Sequence, residues 1–125
     1  MPTEIIPRLV LFDLGDTAAR FVPARRLMEF ARVLDVDATR IDAFVWSGEL
    51  SARFDRGEHT TEDVAKMLQR EFGRRLDIAE LERLWCLAFE PHHEVLSLAR
   101  RVNRMTSIGL FTNNPTAVSG GLDAH

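Results

Sequence analysis

The segment Arg8-Leu9-Val10-Leu11-Phe12-Asp13-Leu14-Gly15-Asp16-Thr17 runs four apolar residues directly into an aspartate and a Gly-Asp-Thr turn. Leu9 to Phe12 is too short for a helix and has no polar alternation, which predicts a strand buried on both faces of a parallel sheet. Open α/β folds place their chemistry in the loops at the carboxyl ends of such strands. Asp13 therefore stands where a carboxylate is held and aimed at a ligand. Asp-x-Gly turns also close many strands for reasons of loop geometry alone, so a second segment has to carry part of the argument. It comes at Ser107-Ile108-Gly109-Leu110-Phe111-Thr112-Asn113-Asn114-Pro115, an apolar strand followed by a hydroxyl, two amides and a proline suited to open a helix. Two strands with polar tips, joined by helical sequence, are what a site shared between neighbouring parallel strands requires.

Between them the period changes from strand to helix. Leu27, Phe30, Ala31 and Leu34 recur at helical spacing behind Pro23, and Ile41, Phe44 and Val45 form the next stripe before Gly48. Leu50 and Phe54 make a short third helix ending at Gly57. Thr60 with Asp63 is in capping-box position for a fourth, whose apolar face is Val64, Met67, Leu68 and Phe72. Asp77 with Glu80 repeats that logic ahead of Ile78, Leu81, Leu84, Trp85 and Ala88. Each helix has a single apolar face, so the faces must bury one another. Pro91 interrupts the pattern. Val95, Leu98, Ala99 and Val102 then mark the crossover helix back to the sheet, and after Pro115 a last helical piece is expected to stop at Gly120-Gly121. The expected organisation is a parallel α/β core formed by residues 1–19 and 90–125, with a helical bundle, 20–89, inserted after the first strand.

At 125 residues the chain is one domain's worth of sequence, and 46% apolar with 28% charged residues is ordinary for a globular protein. A net charge of −3, with the arginines scattered among acids, argues against a nucleic-acid partner. The single cysteine, Cys86, makes no intramolecular disulfide, and no apolar run approaches a membrane span. The expectation is a cytoplasmic protein with no membrane partner. His92-His93 reads as a surface turn rather than a metal site.

Phe12-Asp13-Leu14-Gly15-Asp16-Thr17 and Leu110-Phe111-Thr112-Asn113-Asn114 resemble the first and second motifs of the haloacid dehalogenase (HAD) superfamily of phosphatases and related hydrolases. Arg56-Gly57-Glu58-His59-Thr60-Thr61-Glu62-Asp63 resembles the helical cap of its alpha-D-glucose-1-phosphatase-like branch, where the opening motif often reads Phe-Asp-Leu-Gly. The resemblance implies a HAD-like, Rossmann-like α/β core with an inserted helical-bundle cap. It implies a magnesium-dependent phosphatase of a small phosphorylated metabolite, working through an aspartyl-phosphate. Asp13 matches the nucleophile and a magnesium ligand, and Gly15 keeps the backbone carbonyl that also ligates the metal. Thr112 and Asn113 match the groups that hydrogen-bond the phosphoryl oxygens. The resemblance places specificity on cap residues near Arg20, Phe21, Trp46 and Glu49. A dehalogenase would carry tyrosine where Gly15 stands, and this chain has no tyrosine.

Three departures qualify that expectation. The general acid/base of the family is an aspartate two residues after the nucleophile, and here that position is Gly15. Asp16 lies one residue further on, and the alternatives for it are capping the turn or facing solvent. After Thr112 the only charged residue is Asp123, and the sole lysine is Lys66, so the family's third and fourth motifs, a basic residue and late metal-binding acids, are missing. A two-stranded parallel sheet has open edges that invite pairing. The expectation is therefore an amino-terminal part of a longer protein, or a chain completed by a partner, with a homo-oligomer formed through the exposed strand edges. The competing expectation is a non-catalytic relative whose helices serve as an interaction or dimerisation module.

Overall fold

In a computed structural model, residues 4–112, 114, 115, 117, 118 and 120 are described. They form, in chain order, β1 (Leu9–Asp13), β2 (Ala19–Phe21), α1 (Pro23–Leu34), α2 (Ala38–Val45), α3 (Leu50–Asp55), α4 (Thr61–Phe72), α5 (Ile78–Cys86), β3 (Phe89–Pro91), α6 (His93–Asn103) and β4 (Ser107–Phe111). The chain divides into two compact units, one of residues 1–21 with 89–112 and one of 22–88 with the residues after Thr112.

In the first unit β1 and β4 pair in parallel, from Leu9 opposite Ser107 to Asp13 opposite Phe111. The α6 crossover packs against β4, as a parallel pair requires, since its connection must travel the full length of the sheet. β1 is not buried on both faces as its apolar run predicts. Its residues alternate, with Val10 and Phe12 half-buried and Leu9 and Leu11 exposed at 53% and 54%. Leu110 and Phe111 of β4 are exposed as well. The physical reason is that two strands and one crossover helix supply only one covering layer. The sequence also predicts helix throughout 20–89, whereas Ala19–Phe21 and Phe89–Pro91 form a short antiparallel ribbon. Three pairs hold it, with Phe21 and Phe89 rings 5.5 Å apart and Arg20 4.0 Å from Glu90.

The second unit holds α1 to α5. Pro23 opens α1, and Asp35 ends it in the left-handed conformation at φ 53°. Asp37 caps α2, accepting from the Thr39 amide at 2.8 Å. Thr60 and Asp63 form the expected capping box: the Thr60 hydroxyl accepts from the Asp63 amide and the Asp63 carboxylate from the Thr60 amide. Gly73 closes α4 at φ 76°, a backbone conformation that costs glycine nothing and most other residues a steric penalty. Asp77 caps α5 by accepting from the Glu80 amide.

Phe30, Ile41, Val45, Phe54, Val64, Leu68, Leu81, Leu84 and Trp85 are fully buried together. Trp85 is the centre of this core. Phe54 meets it edge-on at 5.0 Å and Phe30 at 6.2 Å, and Trp46 lies tilted at 5.4 Å. Arg26 is buried beside them, its guanidinium 4.6 Å from the Trp46 ring and 5.2 Å from that of Trp85. Ile78 and Leu98, assigned to apolar faces from spacing, are nearly half exposed.

The expected core reached residue 125, yet the described residues after Thr112 group with the helices. Ala117 and Val118 are fully buried there, and the Cys86 thiol lies 3.5 Å from the Val118 carbonyl. Gly120 is helical; Gly121, expected to help stop that piece, lies outside the described residues.

Candidate functional site

Asp13 ends β1 and Thr112 follows β4, so the two stand at the same end of one parallel pair, on adjacent strands. Both are exposed. The pairing continues one step past the strand, where the Leu14 amide donates to the Phe111 carbonyl at 3.1 Å. That bond ties the backbone just after Asp13 to the end of β4. Asn113, the third expected site residue, lies outside the described residues.

The turn after Asp13 is tightly tied. The Ala18 amide donates to the Asp13 carbonyl at 3.0 Å, and the Ala19 amide to the Leu14 carbonyl at 2.9 Å. Gly15 bridges to Ala19 across this turn. Asp16 sits at φ 58°, a left-handed conformation that Asp tolerates better than most residues. Its Oδ1 accepts from the Phe21 amide at 3.0 Å. Asp16 is thus the cap of the turn, one of the two alternatives open from sequence. The signal was present in its residue type, since Asp and Asn are the non-glycine residues that suit such positions.

The amino terminus of α6 lies at the same end of this unit. The His92 amide donates to the Ala18 carbonyl at 3.0 Å, and His92 Nδ1 accepts from the Val95 amide at 3.4 Å. His92 is therefore a helix cap that sequence reasoning left as a surface turn. Cap preferences do not rank histidine highly, so spacing alone gave no hint of it.

The four candidate specificity residues fall in different places. Arg20 faces Glu90, and the Phe21 ring lies tilted against that of Phe89 within the β2–β3 ribbon. In the helical unit Trp46 is half-buried against Trp85 and Phe30, which makes it part of a core. Glu49 is exposed and paired with Arg53 at 2.8 Å.

Two strong titration shifts lie in the helical unit. Burial lowers the Arg26 guanidinium to about 10, against the opposing pull of Asp55. Burial and Glu82 push the Cys86 thiol up to about 11, with Arg26 opposing.

A divalent cation in this fold would need oxygen ligands converging near Asp13. Asp13 offers a carboxylate and Gly15 a backbone carbonyl, while one carboxylate oxygen of Asp16 accepts from the Phe21 amide. Among the described residues no three His, Cys, Asp or Glu side chains cluster to hold a metal. The described residues alone therefore do not make a complete magnesium site.

Solved structures of HAD-like hydrolases share this architecture. A HAD-like family hydrolase from Porphyromonas gingivalis, itself assigned by prediction, matches with a TM-score of 0.68 at 18% identity, over 91% of this chain and 55% of that one. A HAD family enzyme from Bacteroides thetaiotaomicron matches at TM-score 0.69 and 14% identity, over 94% and 58%. A variant of that enzyme with one aspartate replaced by alanine, a complex with magnesium and inorganic phosphate, matches at 0.67 and 11%, over 90% and 55%. The chain has the HAD-like hydrolase fold, and it spans little more than half the length of these solved chains. No protein-family model matches it, and neither does any curated protein. No described helix is long and apolar enough to cross a membrane.

Proposed function

We propose that this chain carries the phosphoryl-accepting side of a HAD-like phosphatase site acting on a small phosphorylated metabolite, with residues 20–89 as its cap. The observation that carries the reading is the placement of Asp13 and Thr112 at the ends of adjacent parallel strands, joined by the Leu14–Phe111 bond. Asp13 is the nucleophile. The bonds from Ala18 and Ala19 hold its backbone, so that its carboxylate is presented without a search through turn conformations. The Thr112 hydroxyl and the Asn113 amide donate to phosphoryl oxygens. The Gly15 carbonyl and Asp13 are the contacts this chain offers to magnesium, which would supply positive charge against the phosphate dianion. Membership of the sugar-phosphate branch rests on the resemblance of residues 56–63 to the cap of that branch and on the Phe-Asp-Leu-Gly form of the first motif.

The 125 residues do not hold all the charge that the reaction needs. No lysine or arginine follows Thr112, and positioned cations provide most of the acceleration in phosphoryl transfer. The exposed apolar residues Leu9, Leu11, Leu110 and Phe111 fit a surface that pairs with further sheet, and self-association through these edges is part of the proposal.

Beryllofluoride with magnesium mimics an aspartyl-phosphate and tests the site without requiring turnover. The amides of Leu14, Gly15 and Thr112 are expected to shift in a saturable way in nuclear magnetic resonance spectra. The shifts should be lost in Asp13→Asn. An unchanged response in that variant would show that the anion binds elsewhere, and the reading of Asp13 would fall.

A further inference from the structure

We propose that the groove between α4 and the amino-terminal end of α5 binds the carboxyl terminus of a peptide whose last residue is apolar. The groove has a volume of about 540 Å³, a size ordinary for a ligand site. It lies wholly within the helical unit, and the phosphatase reading gives it no part.

One wall of the groove is the link from Gly73 to Asp77, and that link is anchored along its length. The Gly73 amide donates to the Gln69 carbonyl at 2.8 Å, and the Arg74 guanidinium donates to the Val33 carbonyl of α1. Leu76, 2% exposed, pins the middle, and Asp77 Oδ1 accepts from the Glu80 amide at 2.7 Å. A wall already in place spares a ligand the cost of ordering it.

Three features of the groove point to its occupant. Among the described residues, neither the amide nor the carbonyl of Leu76 makes a hydrogen bond. Buried backbone groups are nearly always paired. A peptide group offers the complementary carbonyl and amide, as when an extended segment adds to a free backbone edge. The second feature is apolar surface, from Ala65, Leu76, Ile78 and Ala79, with Ile78 46% exposed. The third is charge. Glu62 pairs with Lys66 at 3.3 Å, and the amino-terminal end of α5 offsets Asp77. Arg75 also lines the groove, and no described acid lies within ion-pair distance of it. Its guanidinium presents a fork suited to a carboxylate.

In a carboxyl-terminal residue the amide, the side chain and the carboxylate all branch from one Cα. Arg75 and Leu76 are likewise consecutive, so one terminal residue can meet the guanidinium, the free backbone and the apolar surface together. An internal acidic residue spends its side chain on the carboxylate and has none for the apolar surface.

The probe is acetyl-Ala-Ala-Leu with a free carboxylate, titrated into the isotope-labelled 125-residue chain and followed by nuclear magnetic resonance. The control is the same peptide ending in a carboxamide. Saturable shifts are expected at the amides of Arg75, Leu76 and Ile78. The carboxamide should bind about tenfold more weakly, because it loses a charge-assisted bond. Arg75→Gln should erase the difference between the two ends, and Ile78→Ser should weaken both peptides alike. Both residues are exposed, so both variants should keep wild-type spectra away from the groove. No saturable shift with either peptide, equal binding of the two ends by the wild type, or an unchanged preference in Arg75→Gln would overturn the proposal. Shifts at these amides on raising the protein concentration alone would assign the groove to a second copy of this chain, and would overturn it too. Shifts centred on Asp13 and Thr112 would place the carboxylate at the phosphoryl site, with the same consequence.

Discussion

Replacing Trp85 by alanine should cost the helical unit about 3–5 kcal/mol, the range for removing a fully buried large aromatic. The figure follows from its surroundings. Trp85 is 1% exposed, so essentially all of its surface is withdrawn from water. Aromatic side chains bury roughly 150–250 Å², worth about 4–6 kcal/mol at ~25 cal/mol per Å². Rings from Phe54, Phe30 and Trp46 close on it from different sides at 5.0, 6.2 and 5.4 Å. Such a hole cannot collapse without moving several helices at once, so little of the loss is recovered by relaxation. The Arg26 guanidinium, 5.2 Å from the same ring, would lose one of its two aromatic faces while staying buried. Trp85→Phe keeps a ring in place and should cost markedly less. Urea unfolding measures both, because the protein has two tryptophans and Trp46 remains as the fluorescent reporter. Adding Arg26→Met to Trp85→Ala completes a double-mutant cycle for the cation–ring contact. A loss under about 1 kcal/mol for Trp85→Ala would refute the central position given to this side chain.

The Cys86 thiol is held neutral in the fold, so its contribution is fully present below the thiol's ordinary pKa and is lost as pH rises toward about 11. Stability followed by urea midpoint should fall across that alkaline window and flatten in Cys86→Ala; parallel slopes would contradict the assignment. The bond from the Thr60 amide lowers the Asp63 carboxyl, so the capping box is intact above the ordinary aspartate pKa and weakens as pH drops through the lower folded value. Thr60→Ala should cost ~1 kcal/mol at neutral pH, and Asp63→Asn should remove the acid-side dependence; a wild-type-like pH profile in that variant would count against it. The 125-residue chain should show little or no magnesium-dependent turnover of sugar phosphates or p-nitrophenyl phosphate. Robust phosphate release that vanishes in Asp13→Asn would mean that the missing charges come from residues assigned no part in the chemistry. Exposed Leu9, Leu11, Leu110 and Phe111 should drive association at roughly tens of micromolar, and a clean monomer by sedimentation would argue against edge pairing.

What could be read from sequence is what is decided locally. A short apolar run ending in Asp13 is a strand wherever it is placed, and the run ending in Phe111 is another. The caps of α4 and α5 are satisfied within three residues of chain, so Thr60 with Asp63 and Asp77 with Glu80 announce their helices before any tertiary contact forms. The helical periods of α1 to α5 follow from the need of each to bury one face. The HAD-like fold was legible through the resemblance of the segments around Asp13 and Thr112 to the first two motifs of that family.

Tertiary structure decided everything that depends on distant partners. The ribbon of Ala19–Phe21 with Phe89–Pro91 joins residues about seventy positions apart, and three pairs of such separation leave no local pattern. Burial of Arg26 is settled by two indole rings from elsewhere in the helical unit, Trp46 just past α2 and Trp85 on α5, and an arginine in an amphipathic helix otherwise reads as solvated. Phe12 and Leu11 are equally apolar, yet one is half-buried and the other exposed, because only one layer covers the sheet. From sequence Asp16 could cap the turn or merely face solvent, and the bond from the Phe21 amide, five residues away, makes it the cap. Sequence sets which groups the site contains, whereas only the folded turn decides which of them are already engaged.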